Sequence, residues 1–273
     1  MRAVPALLLA FALTAPALAA EGDAAPAAPA APAASAAGEV ATGSGGARPA
    51  SKSDPFESFN RSIFGFNEAL DAAVLKPVAQ TYHDVVPEYV RNLVTNVIGN
   101  VADAWSAVNH LLQGKVESGL QMGFRFAVNS VLGFGGLLDI GSEIGLEKQS
   151  EDFGQTLGKW GVPAGPYVVL PVLGPSTVRD TAALPLDLQA TPASLIDDKT
   201  ATVLGVTGLQ VVNARSNLLG ASRVLDDIAL DKYSFLRDAY LSRRQSQVYD
   251  GNPPEAEEDE DQPPEKSVPA PAR

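Results

Sequence analysis

Helical periodicity dominates the middle of the chain and leaves little room for β-structure. Apolar side chains recur there at alternating spacings of three and four residues: Phe56, Phe59, Ile63, Phe66 and Leu70. This spacing places them on one face of an α-helix. The helix is predicted to begin at Asp54 as the cap, with Pro55 at its first position and Glu57 completing a capping box.

The same periodicity continues toward the C-terminus. Pro77 and Pro87 suit the first turns of two further helices, another runs from about Val101 to a C-capping Gly114, and one begins at Lys115. Two late helices are predicted over about 201–219 and 233–248, with proline-rich connections around 163–175 and 185–192. Strand-like alternation is scarce, so the sequence predicts a single all-α domain over residues 54–250.

The first 19 residues have the pattern of a cleaved export signal. Arg2 precedes an apolar run over residues 3–13, and Ala17-Leu18-Ala19 supplies a small-residue cleavage site. The run is far shorter than the ~20 residues that a membrane-crossing helix needs. We expect a mature chain that begins at Ala20 in the periplasm or beyond. Because the sequence contains no cysteine, disulfides, thiol chemistry and a lipidated cysteine are excluded.

Both flanks of the domain are biased in composition. Residues 20–53 are rich in Ala, Pro, Gly and Ser, and predict a disordered linker. Residues 251–273 combine prolines with clustered Asp and Glu, and predict a disordered acidic tail. The whole chain carries 20 basic and 32 acidic residues, a net charge of -12, which argues against nucleic-acid binding. Any contact with lipid is therefore expected to be apolar.

Motifs for catalysis or metal binding are missing. The two histidines, His83 and His110, stand in no metal-ligand spacing, and packing or surface roles are expected for both. No G-x-S-x-G elbow occurs, and Asp152-Phe153-Gly154 matches a kinase motif in letters only. The sequence predicts a protein without enzymatic activity, cofactor or metal.

The segment 126–145 is unusual because it is strongly apolar and yet interrupted by glycines. Each glycine lowers helix stability by ~1 kcal/mol relative to alanine. The segment is too interrupted to cross a bilayer alone, so we interpret it as a flexible apolar hairpin. A buried core loop with ordinary packing is the alternative that apolarity alone does not exclude.

Five segments together resemble the MlaA/VacJ family. The most specific is EDFGQTLGKWGVPAGPYVVLPVLGPSTVRD, from Glu151 to Asp180. The others begin at Asp54 (DPFESFNRSIFGFN), Asn96 (NVIGNVADAWSAVNHLLQG), Phe126 (FAVNSVLGFGGLLDIGSEIGL) and Asp231 (DKYSFLRDAYLSRR).

The resemblance implies a ring-like helical domain with an amphipathic central channel in the inner leaflet of the outer membrane. It implies contact with a trimeric porin, and removal of phospholipids from the outer leaflet to a periplasmic MlaC-type lipid carrier. This would maintain outer-membrane lipid asymmetry by intermembrane phospholipid transport. Family members are usually lipoproteins, whereas this chain lacks the cysteine. A soluble periplasmic lipid-binding carrier or envelope scaffold therefore stays open as the alternative.

Residues on the lipid path are predicted from their positions in the resemblance. Four lie on the glycine-rich hairpin, with Asp139 closing the hairpin at the channel mouth, and three on the first helix; core packing is an equal alternative for the three phenylalanines. They are Phe134, Leu137, Leu138, Asp139, Phe64, Phe66 and Asn67. Ser176 is expected to cap the next helix. Arg179 and Asp180 are expected to be structural and, as neighbours on a helix, to pair with other residues.

Overall fold

The computed structural model describes residues 54–196 and 200–253 of the 273-residue chain. The predicted export signal, the predicted linker and residues 254–273 of the predicted tail lie outside the described residues.

Helices make up most of the described chain, which confirms the all-α prediction. The helices are α1 (Glu57–Leu70), α2 (Lys76–Val85), α3 (Glu88–Leu112), α4 (Val116–Val131), α5 (Ile140–Glu143), α6 (Phe153–Lys159), α7 (Val178–Asp187), α8 (Thr200–Asn217), α9 (Leu219–Ile228) and α10 (Lys232–Val248). Short 3-10 turns, Leu188–Ala190 and Pro192–Leu195, follow α7. One antiparallel hairpin, β1 (Tyr167–Leu170) and β2 (Gly174–Thr177), pairs Tyr167 with Thr177.

Helix α1 passes into α2 through a π-helical turn, Asp71–Leu75, without an intervening loop. Pro77 lies in the first turn of α2, as predicted, and has no N–H to donate to a regular helical ladder. The turn is fixed from outside, because Asp71 accepts two hydrogen bonds from Arg215 of α8 at 2.7 and 2.8 Å. The bent segment is thereby joined to a helix far along the chain.

Several predicted boundaries were wrong. The predicted helices that start at Pro87 and Val101 are one helix, α3, which has Pro87 at its N-cap and no break at Val101. Part of the predicted connection 163–175 is the β-hairpin, whose first strand is the β-prone run YVVL. Pro185 lies inside α7 rather than in a connection, and a separate helix α9 was not predicted.

Asp54 does not cap α1. Its side chain is fully buried and accepts hydrogen bonds from Asn60 Nδ2 at 2.8 Å and from the Tyr233 hydroxyl. The N-cap is Phe56, without a side-chain bond, and Glu57 instead pairs with Arg61 at 2.8 Å. The Asp54 carboxylate therefore binds α10, which is distant in the chain, and does not cap α1 as the local sequence predicted.

An aromatic cluster joins α1, the β-hairpin and α10. Tyr167, Val169 and Tyr233 are buried together, with Phe64 packed against them. The rings of Phe64 and Tyr233 meet edge to face at 5.6 Å, and those of Tyr167 and Tyr233 at 6.3 Å. Such pairs each add about 0.5–1.5 kcal/mol beyond their area burial. The cluster therefore closes the domain between its first and last helices.

The contacts between elements form a closed circuit. Helix α1 contacts the π-helical turn Asp71–Leu75, and from there each element contacts the next in the order α2, α8, α3, α6, α10, β2 and β1, with β1 contacting α1 again. Helix α4 packs on α3, and α5 packs on α4. The β-hairpin thereby joins the N-terminal and C-terminal helices of the described chain.

Candidate functional site

Burial is inverted relative to an ordinary water-soluble domain. Among the described residues, 22 polar or charged side chains are buried, against 12 apolar ones. At the same time, 31 large apolar side chains are exposed. Exposed apolar patches of this extent mark an interaction surface, whereas isolated exposed apolar residues are normal.

The exposed apolar side chains follow helix faces. On α1 and its N-cap they include Phe56, Phe59 and Phe66, which are 49%, 59% and 53% exposed. On α4 they include Leu120 and Phe124, four residues apart. Three of the five apolar residues that predicted α1 therefore face outward, whereas Ile63 packs against the aromatic cluster and Leu70 is half-buried. No helix within residues 54–196 and 200–253 combines the length and apolarity needed to cross a membrane.

The glycine-rich segment is a helical hairpin, with a loop of residues 132–139 between α4 and α5. Two glycines of the loop are required because a Cβ at either position would clash with a neighbouring residue. A Cβ on Gly133 would lie 2.3 Å from the Leu138 carbonyl oxygen, and one on Gly136, at φ +90, would lie 2.6 Å from Asn100 Cβ. The glycines therefore set the shape of the loop and hold it against α3.

The loop directs its apolar side chains outward. Phe134 is 76% exposed and has a left-handed φ of 54, while Leu137 and Leu138 are 40% and 42% exposed. Its backbone is nevertheless fixed, because Asn96 Nδ2 donates to the Leu137 carbonyl at 2.9 Å and Leu138 N–H donates to the Gly133 carbonyl at 3.0 Å. The buried-loop alternative does not describe these three side chains. Their place on a lipid path stays a prediction.

A buried ion cluster fixes the base of the loop. Arg125 on α4, whose side chain is 2% exposed, donates Nε to Asp103 of α3 at 2.8 Å. Its Nη2 donates to both carboxylate oxygens of Asp139 at 2.6 Å, and its Nη1 to the Leu146 carbonyl at 2.6 Å. Asn129 donates to Asp139 at 3.1 Å. One guanidinium thus connects α3, α4 and the end of the loop.

Asp139 also caps α5, where its Oδ1 accepts from Ser142 N–H at 3.2 Å and its Oδ2 from the Ser142 hydroxyl at 2.7 Å. Burial alone would raise the pKa of Asp139. The hydrogen bonds from Ser142 and Arg125 outweigh burial and hold the pKa of Asp139 below its ordinary value. Asp139 is therefore a carboxylate anchor at the loop end.

The three predicted residues on α1 lie in different environments. Phe66 is exposed, whereas Phe64 packs in the aromatic cluster. Asn67 is buried, donates to the Leu170 carbonyl at 3.0 Å and accepts from Val172 N–H at 2.8 Å, so it holds the turn of the β-hairpin. Among the described residues, no hydrogen bond joins these three residues to the glycine-rich loop. A role on a lipid path stays a prediction for all three.

A second ion cluster joins α6, α7 and α10. Arg244 donates to both carboxylate oxygens of Asp152 at 2.6 Å and to Asp180 at 2.8 Å. Arg179 Nε donates to the adjacent Asp180 at 3.0 Å, so the expectation that these neighbours pair only elsewhere was wrong. The cap of α7 is Thr177 rather than Ser176. Asp152 also caps α6, which gives the Asp-Phe-Gly motif a structural role here.

Asp187, at the end of α7, has an unusual carboxyl group. Its Oδ1 accepts from Trp105 Nε1 at 2.8 Å and from Phe153 N–H at 2.9 Å. Burial, together with the negative charge of Asp152, raises the pKa of Asp187 to about 6. The pKa of Asp187 is thus higher in the folded chain than in the unfolded chain. Its contribution to the free energy of unfolding is therefore fully present below about pH 4 and is lost as the pH rises through about 6.

We expect Asp187→Asn to be more stable than the unmodified chain at pH 7.5, by about 2–3 kcal/mol. The amide oxygen can accept both hydrogen bonds, and the buried negative charge is removed. Thermal unfolding of both proteins from pH 4 to 8 measures this, and the difference in melting temperature should vanish near pH 4. A difference that stays constant with pH would contradict the assignment.

The two histidines have separate environments. His83 is exposed beside Asp84, and the ring of His110 is buried with Nε2 3.1 Å from the Gln149 carbonyl oxygen. Among the described residues, no group of three or more His, Asp or Glu side chains is placed to hold a metal ion.

Known proteins of similar sequence share the core. The sequence model of the MlaA lipoprotein family matches residues 52–247. The intermembrane phospholipid transport system lipoprotein MlaA of Shigella flexneri is 34% identical over 208 residues, which cover 75% of this chain and 82% of that protein. The protein of the same name from Haemophilus influenzae is 30% identical over 222 residues, which cover 77% of this chain and 84% of that protein. An uncharacterised protein of Rickettsia bellii is 35% identical over 196 residues, covering 71% and 76%.

A solved structure described as the structural basis for maintenance of bacterial outer membrane lipid asymmetry has the same fold. It superposes with a TM-score of 0.62 at 33% identity, and the match covers 72% of this chain and all of the other. Sequence and structure agree on the region that carries both the exposed helix faces and the glycine-rich loop. The chain belongs to the MlaA lipoprotein family.

Proposed function

We propose that this chain takes part in intermembrane phospholipid transport and maintains the lipid asymmetry of the outer membrane. The inverted burial carries the proposal. An apolar outer surface over a hydrogen-bonded polar interior is suited to a protein surrounded by acyl chains, because lipid cannot satisfy polar groups and they must pair internally.

The outward faces of α1 and α4 supply the lipid contact. Burying apolar surface contributes about 25 cal/mol per Å², so side chains as large as Phe59, Leu120 and Phe124 contribute several kcal/mol together. The net charge of -12 gives no attraction to anionic headgroups, which leaves apolar contact as the main source of membrane affinity. We assign these helix faces to the inner leaflet of the outer membrane.

The glycine-rich loop is the proposed mouth of an amphipathic channel through the ring. Phe134, Leu137 and Leu138 offer an apolar surface for acyl chains, and the Asp139–Arg125 pair lies at their base to hold the loop in place. Phospholipid from the outer leaflet would pass inward along this route. The proposal needs no enzymatic step and no cofactor in this chain.

The proposed partners are those that the family resemblance implies. A trimeric porin would hold the ring in the membrane, and a periplasmic MlaC-type carrier would receive the phospholipid. The exposed apolar faces and the porin contact would together retain a chain that contains no cysteine. A soluble periplasmic carrier or scaffold is the competing outcome of the test below.

The proposal predicts that the chain fractionates with outer membranes, together with a porin and phospholipid. Cells lacking the gene should accumulate outer-leaflet phospholipid, and the unmodified chain should reverse this. Phe124→Asp should lower membrane retention, because a carboxylate at bilayer depth costs roughly 2.5–3.5 kcal/mol. Phe124→Leu is the matched control and should behave as the unmodified chain does. A wholly soluble chain that binds lipid would favour the carrier instead.

A further inference from the structure

A polar cavity of about 470 Å³ lies where the ends of α3 and α10 meet the starts of α4 and α6. It shares no lining residue with the glycine-rich loop. The side chains that matter for its chemistry are His110, Lys115, Glu151, Lys159 and Asp250. The cavity is therefore lined by two ammonium groups, two carboxylates and one imidazole.

Two lysines share one carboxylate at the cavity. Lys115 Nζ contacts Asp250 and lies 2.9 Å from Glu151 Oε1, while Lys159 Nζ lies 3.3 Å from Asp250 Oδ2. Glu151 is buried and also accepts from Gln113 at 2.9 Å. The Asp250 side chain is 42% exposed. The two ammonium groups thus flank one anionic group, which here is the Asp250 carboxylate.

His110 is the second, independent feature of the cavity. The side chain is 3% exposed, and its Nε2 must donate to the Gln149 carbonyl oxygen at 3.1 Å, because a carbonyl only accepts. Its Nδ1 is buried without a hydrogen-bond partner. In the neutral ring Nδ1 is a hydrogen-bond acceptor. No hydroxyl or ammonium group of the described residues donates a hydrogen bond to it.

Two exposed aromatic side chains follow or precede cavity residues in the chain. Trp160 and Tyr249, the neighbours of Lys159 and Asp250 in the chain, are 55% and 43% exposed. Trp160 Nε1 donates to the Leu112 carbonyl at 3.0 Å, which holds the indole beside the end of α3. Tryptophan and tyrosine are enriched where headgroups meet acyl chains.

We propose that this cavity binds the headgroup of a phospholipid whose phosphate lies between Lys115 and Lys159 and whose hydroxyl or ammonium group donates to His110 Nδ1. The proposal rests on the proposed function and names a headgroup site for the same substrate. Asp250 is the internal competitor that the phosphate displaces. It has a left-handed φ of 53 directly after α10, a conformation that asparagine also tolerates.

Binding of short-chain lipids to the purified chain tests the site by isothermal titration calorimetry. Dihexanoyl phosphatidylethanolamine is the probe. Dihexanoyl phosphatidylcholine is the comparison ligand without an ammonium hydrogen to donate, and inorganic phosphate is the comparison ligand without a lipid. Lys159→Gln should weaken probe binding roughly three- to tenfold, and Asp250→Asn should strengthen it by a similar factor. Lys232→Gln, at a half-buried lysine paired with Asp226 outside the cavity, is the matched control and should change nothing.

The two variants are expected to change the affinity for the probe in opposite directions. This separates a binding site from a structural role, because a loss of stability would weaken binding in both variants. Equal binding of both short-chain lipids would remove His110 from the site. Inorganic phosphate that binds as tightly as the probe would make this a free-phosphate site and overturn the headgroup proposal. If no probe binds while the chain still restores lipid asymmetry in cells, the cavity proposal fails and the proposed function stands.

Discussion

Arg125→Met is expected to destabilise the protein by roughly 3–5 kcal/mol, a large share of the about 5–15 kcal/mol that stabilises a typical domain. The guanidinium is buried and is the main partner of Asp103, whose side chain is 1% exposed, and of Asp139. Methionine fills a similar volume, so the cost is mainly electrostatic. Removing the guanidinium leaves the buried Asp103 carboxylate with only partial compensation, from the half-exposed Lys148 at 3.0 Å.

Chemical denaturation of the purified chain measures this loss. The control is the double variant Asp103→Asn/Arg125→Met, which removes the uncompensated charge together with its partner and should recover part of the lost stability. Asp139→Asn alone should cost less, because Asp139 is 32% exposed in its side chain and water can reach it. A loss below about 1 kcal/mol for Arg125→Met would show that the cluster is not a stabilising element.

Helical periodicity predicted the fold class because it depends on spacing within one segment. It could not predict what lies opposite each face. The apolar residues of α1 recur as a helix requires, yet Phe56, Phe59 and Phe66 face outward. Periodicity identifies an apolar face, and only the tertiary arrangement decides whether protein or another medium covers it.

The wrong predictions share a physical cause. A cap at Asp54 was reasonable locally, but the carboxylate is taken by Tyr233, 179 residues later. Arg125 was not singled out, because its partner Asp103 lies 22 residues earlier and the pairing needs α3 packed on α4. The β-hairpin was hidden in a proline-rich stretch, where prolines indicated a connection but the four residues YVVL pair with β2.

The candidate site was predicted only in part. The glycines of the loop indicated an unusual backbone, and the structure shows why Gly133 and Gly136 admit no side chain. The polar cavity was missed because its residues come from four helices and a connector. His110 was noted as a lone histidine, but its unpartnered nitrogen is visible only once Gln149 and the rest of the cavity are in place.

Leu138→Asp is expected to abolish most phospholipid passage while leaving the fold intact. The side chain is already 42% exposed, and the loop is held by backbone hydrogen bonds that the substitution keeps. Its effect on stability should therefore stay within about 1 kcal/mol. A carboxylate in an acyl-chain path costs roughly 2.5–3.5 kcal/mol, which corresponds to a reduction in passage on the order of a hundredfold.

The neighbouring Asp139 does not relieve this cost, because its two oxygens already accept from Arg125, Asn129 and Ser142, and a second carboxylate adds repulsion. Leu138→Met is the matched control and should transport normally. The measurement pairs protein level and melting temperature with outer-leaflet phospholipid in complemented cells. Normal folding with phospholipid accumulation supports the channel, and normal folding with normal asymmetry removes Leu138 from the path. Loss of the protein itself would mean that the loop is part of the core, since an unpaired charge in a sealed interior destabilises the fold by several kcal/mol.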